Sequence, residues 1–256
     1  MGSIIHNKVI FDDKKHKYTN ALGREYTSVT TLIGKYKPKK DWKAIATAYA
    51  KKNGNTASYW LAKWNRIKED ACAVGSDFHD KKENELLEAG EDLHFDKVYK
   101  VDSERYVVTL DDYSDLSDGV YTEMLLWHHD YLLAGKADKI IIDGKYVDVD
   151  DYKTNKEIDE VSYFHPTKGY EKMLSPLNKI NNCTLNHYTL QLSMYAFMME
   201  QWGYTVRNLQ FRWHQKIVDN NGNAVISEEP TKIYKIEYKR STVIRLLTHH
   251  LATTPR

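Results

Sequence analysis

The stretch from Ala134 to Thr154, AGKADKIIIDGKYVDVDDYKT, constrains the fold more than any other part of the chain. Two runs rich in β-branched and aromatic residues flank Asp143-Gly144, a pair that two-residue hairpin turns prefer. The segment therefore predicts an antiparallel strand hairpin. With Ile142 paired to Lys145, Asp138 falls opposite Val149 and Asp151 opposite Lys136. Side chains alternate between faces along a strand, so Asp138, Asp151 and Lys153 emerge together while Asp150 points the other way. Asp138 and Asp151 are then diagonal neighbours, about 7–8 Å apart at the backbone, and their carboxylates can lean inward.

Two carboxylates and a lysine on one sheet face are a chemically specific set. A hard divalent cation such as Mg²⁺ takes oxygen ligands, keeps several waters and is held by one or two carboxylates plus substrate phosphate. An ion so held activates water and offsets charge developing on a phosphodiester. The lysine stays cationic beside the acids and can position that water. The same residues also fit an edge hairpin with solvated acids, in a chain this rich in Asp and Lys.

The 256 residues suffice for one substantial core or two small ones. No apolar run approaches the roughly 18 residues that a membrane span needs, and the N-terminal MGSIIHNKVIF lacks the organisation of a signal peptide. The two cysteines, Cys72 and Cys183, fall in predicted helical segments. Alone they can build neither a zinc site nor an iron–sulfur cluster. A reducing cytoplasm is the expected setting, in which Asn182-Cys183-Thr184 carries no weight as a glycosylation acceptor. The net charge of +1 argues neither for nor against nucleic acid. Its distribution says more: lysines crowd residues 35–68, whereas residues 83–118 are strongly acidic. A polyanion needs only a local basic surface, although a solvated helix face accounts for the lysines equally well.

Along the chain, residues 8–30 read as short strands, KVIFDD and HKYTN, then a turn at Ala21-Leu22-Gly23 and the segment YTSVTTLI. Apolar spacing predicts a helix from Trp42 to Trp64 and a second from Arg66 to Glu88. Residues 90–118 read as connecting structure. Strands follow at Val120–His128, Leu132–Ile142 and Lys145–Tyr152, and residues 155–183 read as a long loop. Thr184–Trp202 is apolar nearly all round, which predicts a deeply packed helix. Asn208–Val218 and Lys232–Tyr238 read as a strand pair joined through Asn221-Gly222, and Ser241–Leu251 as a terminal helix. Mixed strands flanked by helices around one main core make this an α/β (α+β) fold.

The motifs carry a family likeness in their order. Gly75-Ser76-Asp77-Phe78-His79 lies on a helix, followed by Glu123, Gly135-Lys136-Ala137-Asp138, Asp151-Tyr152-Lys153-Thr154 and Gln191-Leu192-Ser193-Met194-Tyr195. Short patterns of this kind are individually weak. As an ordered set the chain resembles the PD-(D/E)XK nuclease superfamily, in particular its RecB-like exonuclease branch. YTSVTTLIGKY is similar to the corresponding region in phage relatives of the mitochondrial genome maintenance exonuclease. The likeness covers about residues 16–200, and one departure is that Ala137 stands where the eponymous Pro would be.

The resemblance implies a central mixed sheet flanked by helices with an N-terminal helical and hairpin extension. It implies one nuclease domain over residues 1–256, in which residues 1–70 form strands and an arch-like helical region and 71–256 the core. It also implies a Mg²⁺- or Mn²⁺-dependent DNA nuclease, an exonuclease acting on single strands or free ends in replication, recombination or repair. Asp138 and Asp151 correspond to the metal-binding carboxylates, joined by Glu123, by the Tyr152 backbone carbonyl and by His79, which contacts metal or phosphate. Lys153 corresponds to the lysine that orients the attacking water. Gln191 and Tyr195, one helical turn apart on a shared face, together with Thr154, would contact DNA or buttress the site. Tyr49 and Tyr59 are the aromatic candidates for stacking on a single strand. Replication or recombination proteins are the expected partners. CRISPR-associated relatives carry four cysteines for an iron–sulfur cluster, which this chain cannot supply. The competing expectation is a catalytically silent module of the same fold that binds nucleic acid.

Overall fold

The computed structural model describes residues 9–12, 14–89, 98–100, 113–218 and 224–253. The early alternation of apolar residues yields β1 (Val9–Asp12), β2 (Lys17–Asn20) and β3 (Glu25–Ser28), an antiparallel meander. YTSVTTLI then divides: the strand stops at Ser28, whose hydroxyl accepts the Thr31 N–H at 3.1 Å and caps α1 (Val29–Lys35). A serine at this position satisfies an amide that the first helical turn otherwise leaves without a partner. Val29, Leu32 and Ile33 turn inward at helical spacing.

Asp41 caps α2 (Trp42–Asn53) through the Ala44 N–H. The expected helices at 42–64 and 66–88 differ from what is found: α2 ends at Asn53, and α3 runs from Ala57 to Ala89. The break falls at Gly54-Asn55-Thr56, and the two helices fold back on each other. Trp42 meets Trp64, and Tyr49 meets both Trp60 and Trp64. The aromatic spacing that reads as one long face is therefore two facing ones. Because α3 passes uninterrupted through residue 70, the N-terminal helical region is continuous with the rest.

The main sheet adds β4 (Val98–Lys100), β5 (Gly119–His128), β6 (Leu133–Asp143), β7 (Tyr146–Lys153), β10 (Thr205–Trp213) and β13 (Lys232–Lys235). Its long path is β1-β2-β3-β6-β7-β10-β13, with β5 on the other edge of β6 and β4 beside β5. Parallel and antiparallel pairs are mixed, and helices flank the sheet. Lys232–Lys235 pairs with β10 as expected. The expected strand 208–218, however, splits into β10 and a small hairpin of β11 (Lys216–Val218) and β12 (Ala224–Ile226). The turn at Asn221-Gly222 and most of residues 90–118 lie outside the described residues. A further hairpin, β8 (Phe164–His165) and β9 (Gly169–Tyr170), stands in the expected loop.

The β6–β7 hairpin forms, with a register two residues from the expected one. Asp143 pairs with Tyr146 and Lys139 with Asp150, so Gly144-Lys145 is the turn. Gly144 has φ 54°, a conformation that L-residues with a Cβ rarely adopt. A shift of two keeps every side chain on its face, and the next position of this register sets Asp138 across from Asp151.

α4 (Thr184–Glu200) is buried over much of its surface, with Leu190, Leu192, Met194, Met198 and Met199 essentially inaccessible. It packs on β5, β7 and β10 and against α1 and α5 (Arg240–Thr253). One hydrophobic cluster runs from Val9 to Leu247. Among the described residues no helix is long and apolar enough to cross a membrane.

Candidate active site

The sheet opens where β6 changes partners. β3 pairs with Leu133 and Ala134, and β7 pairs with Lys139 to Asp143. β5 occupies the opposite edge, so β3 and β7 share one edge and leave Gly135 to Asp138 between them. The GKAD sequence thus lies in the fork of two diverging strands. There Asp138 replaces a missing ladder partner, accepting the Tyr152 N–H on Oδ2 at 2.7 Å. In a strand a residue's N–H and C=O point to the same side, so the Tyr152 carbonyl also faces Asp138.

Three elements bring a ligating group to this fork. His79 arrives from the C-terminal half of α3, with Nδ1 3.3 Å from Asp138 Oδ2. Glu123 comes from β5, at the one gap in the β5–β6 ladder, directly across from Asp138. Its φ of 49° is a left-handed backbone conformation that costs a non-glycine residue about 1–3 kcal/mol. One donor atom each from His79, Glu123 and Asp138 lie within 4.8 Å of one another. Donors about 2.1 Å from a common small cation stand at most about 4.2 Å apart, so a slight side-chain movement closes the set. Two carboxylates and an imidazole fit a divalent cation.

Asp151 stands apart from that cluster. Its carboxylate forms an ion pair with Lys153, whose ammonium also sits 4.6 Å from the Tyr188 ring centroid. The expected ligand set of Asp138, Asp151, Glu123, His79 and the Tyr152 carbonyl is therefore divided. His79, Glu123 and Asp138 converge, and Asp151 is held by the lysine.

The electrostatics reflect crowding of charge out of water. Burial pushes the Asp138 carboxyl up, but His79, Lys153 and the Tyr152 N–H outweigh it and hold the group at about 2. Burial and then the Asp138 charge raise Asp151 to about 7 despite Lys153. Glu123 is raised by burial and by Asp138, against the pull of Lys136. Burial disfavours a charged His79, yet the neighbouring Asp138 lifts it to about 9. Lys153 is likewise desolvated, and the two aspartates more than compensate, keeping it firmly protonated.

A cleft of about 780 Å³ lies over these groups. Gln191 and Tyr195 reach its wall from α4, where Gln191 Nε2 donates to the Tyr195 hydroxyl at 3.1 Å. Both are buried and buttress the fork. A Cβ on Gly135 would stand 2.7 Å from the Tyr195 ring, so the glycine of GKAD is the seat of that tyrosine. Thr154 also lines the cleft and abuts α3 at Gly75. Tyr49 and Tyr59 do not line it; they pack around Trp60 in the α2–α3 hairpin, with roughly two fifths of each surface open.

Two contributors went unassigned in the sequence. Lys136 Nζ lies 2.6 Å from Glu123 Oε2, two positions from Asp138 and so on its face of a strand. Tyr188 extends the Gln191–Tyr195 spacing backward by three residues, the helical signal that could have found it. No family model matches the chain, and no curated protein does.

Proposed function

We propose that this chain is a Mg²⁺- or Mn²⁺-dependent nuclease of the PD-(D/E)XK type, an exonuclease acting on single-stranded DNA or DNA ends. The observation that supports the reading most is the convergence of His79, Glu123 and Asp138 beside a buried Asp151–Lys153 pair in an open cleft. Ordinary ion pairing does not call for a histidine, a strained glutamate and an aspartate from three elements at one point.

The residues divide the work. Asp138, Glu123 and His79 would hold the cation, which when bound lowers the pKa of water and offsets charge on the phosphate. Lys153 Nζ keeps its proton and donates hydrogen bonds, orienting the attacking water and countering the negative charge that builds on the phosphoryl oxygens. Asp151 fixes that ammonium. Gln191 and Tyr195 hold the GKAD fork open at Gly135, and Lys136 offsets part of the Glu123 charge.

The test is digestion of end-labelled single- and double-stranded DNA, and of closed circles, with Mg²⁺, Mn²⁺ or EDTA, beside Lys153→Ala. Metal-dependent cleavage that disappears in Lys153→Ala is the expected result. Failure of the parent to cut any of these substrates would sink the nuclease reading and leave a silent binding module of the same architecture.

A further inference from the structure

A second cavity, of about 600 Å³, opens between the α1–α2 linker, the segment before β8 and the first turn of α4. It shares α4 with the cleft over the candidate site. Thr184 and His187 border the cavity, whereas Gln191 and Tyr195 border the cleft. Those four residues follow at steps of three, four and four, which is a single helical stripe about 16 Å long. α1 runs between the same two places: Val29 and Thr30 line the cleft, and Lys37, just past the helix end, lines the cavity.

The cavity's cations and acids are in different states. Lys37 is half-buried, its ammonium lowered by desolvation, and it forms no ion pair among the described residues. Lys40 likewise has no acidic partner there; its Nζ lies 5.9 Å from the Trp42 ring centroid. The two acids are already engaged: Asp159 accepts from Thr184 Oγ1 at 3.0 Å and Glu171 from the Asn182 amide. Ser162 is 5% exposed, and its hydroxyl has no hydrogen-bond partner. His187 Nε2 pairs with Asn182 Oδ1 at 2.8 Å. Trp42 is 56% exposed at the rim, its ring meeting Trp64 edge-on.

A half-buried cation with no counterion among the described residues, an open indole and a spare hydroxyl around one cavity suit a ligand that is at once anionic, flat and polar-edged. We infer that this cavity is a subsite for one unpaired nucleotide of the strand whose phosphodiester lies at the metal cluster. This rests on the nuclease reading for the identity of the ligand. The base stacks on Trp42, Ser162 and the His187–Asn182 pair address its edge, and Lys37 and Lys40 take the phosphate. A paired base cannot present its face to an indole, so the subsite selects single-stranded substrate a few nucleotides from the point of cleavage.

Fluorescence anisotropy of a labelled oligothymidylate in EDTA reads binding without cleavage. Trp42→Ala should weaken binding about tenfold, the loss of one base–aromatic stack, and Trp42→Phe should recover most of it. Lys37→Gln with Lys40→Gln should weaken binding and flatten its salt dependence, with a blunt duplex unaffected by either change. Two independent variants guard against a local packing defect at Trp42, and circular dichroism confirms that each is folded. Affinities indistinguishable from the parent's in both variants overturn the subsite, as does an equal loss on the duplex. Cleavage assays on the same preparations separate the two ideas. A parent that cuts but binds independently of Trp42 retains the nuclease and loses the subsite. A parent that never cuts but binds through Trp42 does the reverse.

Discussion

On one face of the β6–β7 hairpin stand Asp138, Asp151 and Lys153; on the other stand Lys139 and Asp150, each the sequence neighbour of a site acid. The residue types are the same, but Asp138 and Lys153 are partly exposed whereas Lys139 and Asp150 are not. Lys139 and Asp150 are essentially inaccessible, paired across the strands and 3.9 Å apart at Nζ and Oδ2. Arg212 Nε and Gln210 Nε2 from β10 both donate to Asp150 Oδ2, at 2.8 and 3.0 Å, the oxygen that also faces Lys139, while Oδ1 has no hydrogen-bond partner among the described residues. The charge on that face is thus met by cations and an amide from within the sheet. The other retains three ligating groups that point at one another and at open space. The contrast thus lies in where the partners come from: strand neighbours on one face, and on the other side chains from separate elements that border a cleft.

The site face should break first in rate. Lys153→Ala, and Asp138→Asn beside it, should lower metal-dependent cleavage by about 10²–10⁴-fold while urea melts show a folded protein. The opposite face should break in stability. Asp150→Ala takes a carboxylate from a fully buried ammonium, and removal of one partner of a buried pair costs about 3–5 kcal/mol. Denaturant midpoints read that loss, and an unchanged midpoint would erase the contrast between the faces. Gly135→Ala should cost about 1–3 kcal/mol through overpacking. A double-mutant cycle with Tyr195→Ala should show the two changes to be strongly non-additive.

Two smaller effects sharpen the comparison from within the site. Glu123→Gly should stabilise the fold by about 1 kcal/mol through release of the left-handed strain while abolishing cleavage. The last is a proton count. With His79 raised to about 9, the metal-free protein carries that proton at pH 7.5, and a ligating imidazole must shed it. Mn²⁺ uptake should therefore release protons at pH 7.5, fewer as the pH climbs past about 9, where His79 is already neutral. His214, packed on Phe78 and Tyr152, is lowered by burial and contributes nothing to the count.

Much of this was legible in the sequence because strand parity is forgiving. The turn was read at Asp143-Gly144 and lies at Gly144-Lys145, yet a slip of two residues leaves Asp138, Asp151 and Lys153 on their expected face. Helix boundaries were less legible. Trp42, Tyr49, Trp60 and Trp64 keep helical spacing across the break at Gly54, because the same rings pack on each other from both sides of it. The fork itself was invisible: that β3 and β7 share one edge of β6 is a long-range pairing that no local pattern encodes. For the same reason the convergence of His79, Glu123 and Asp138 could not be read from residue types alone. Nor does local sequence tell that Lys153 meets both Asp151 and the Tyr188 ring.

The 33 residues of α3 make a rod about 50 Å long. His79 sits about two thirds of the way along it, and the aromatic hairpin with α2 occupies the N-terminal end, about 28 Å away along the axis. The same continuous helix therefore carries the aromatic cluster at one end and a member of the candidate cation cluster further along.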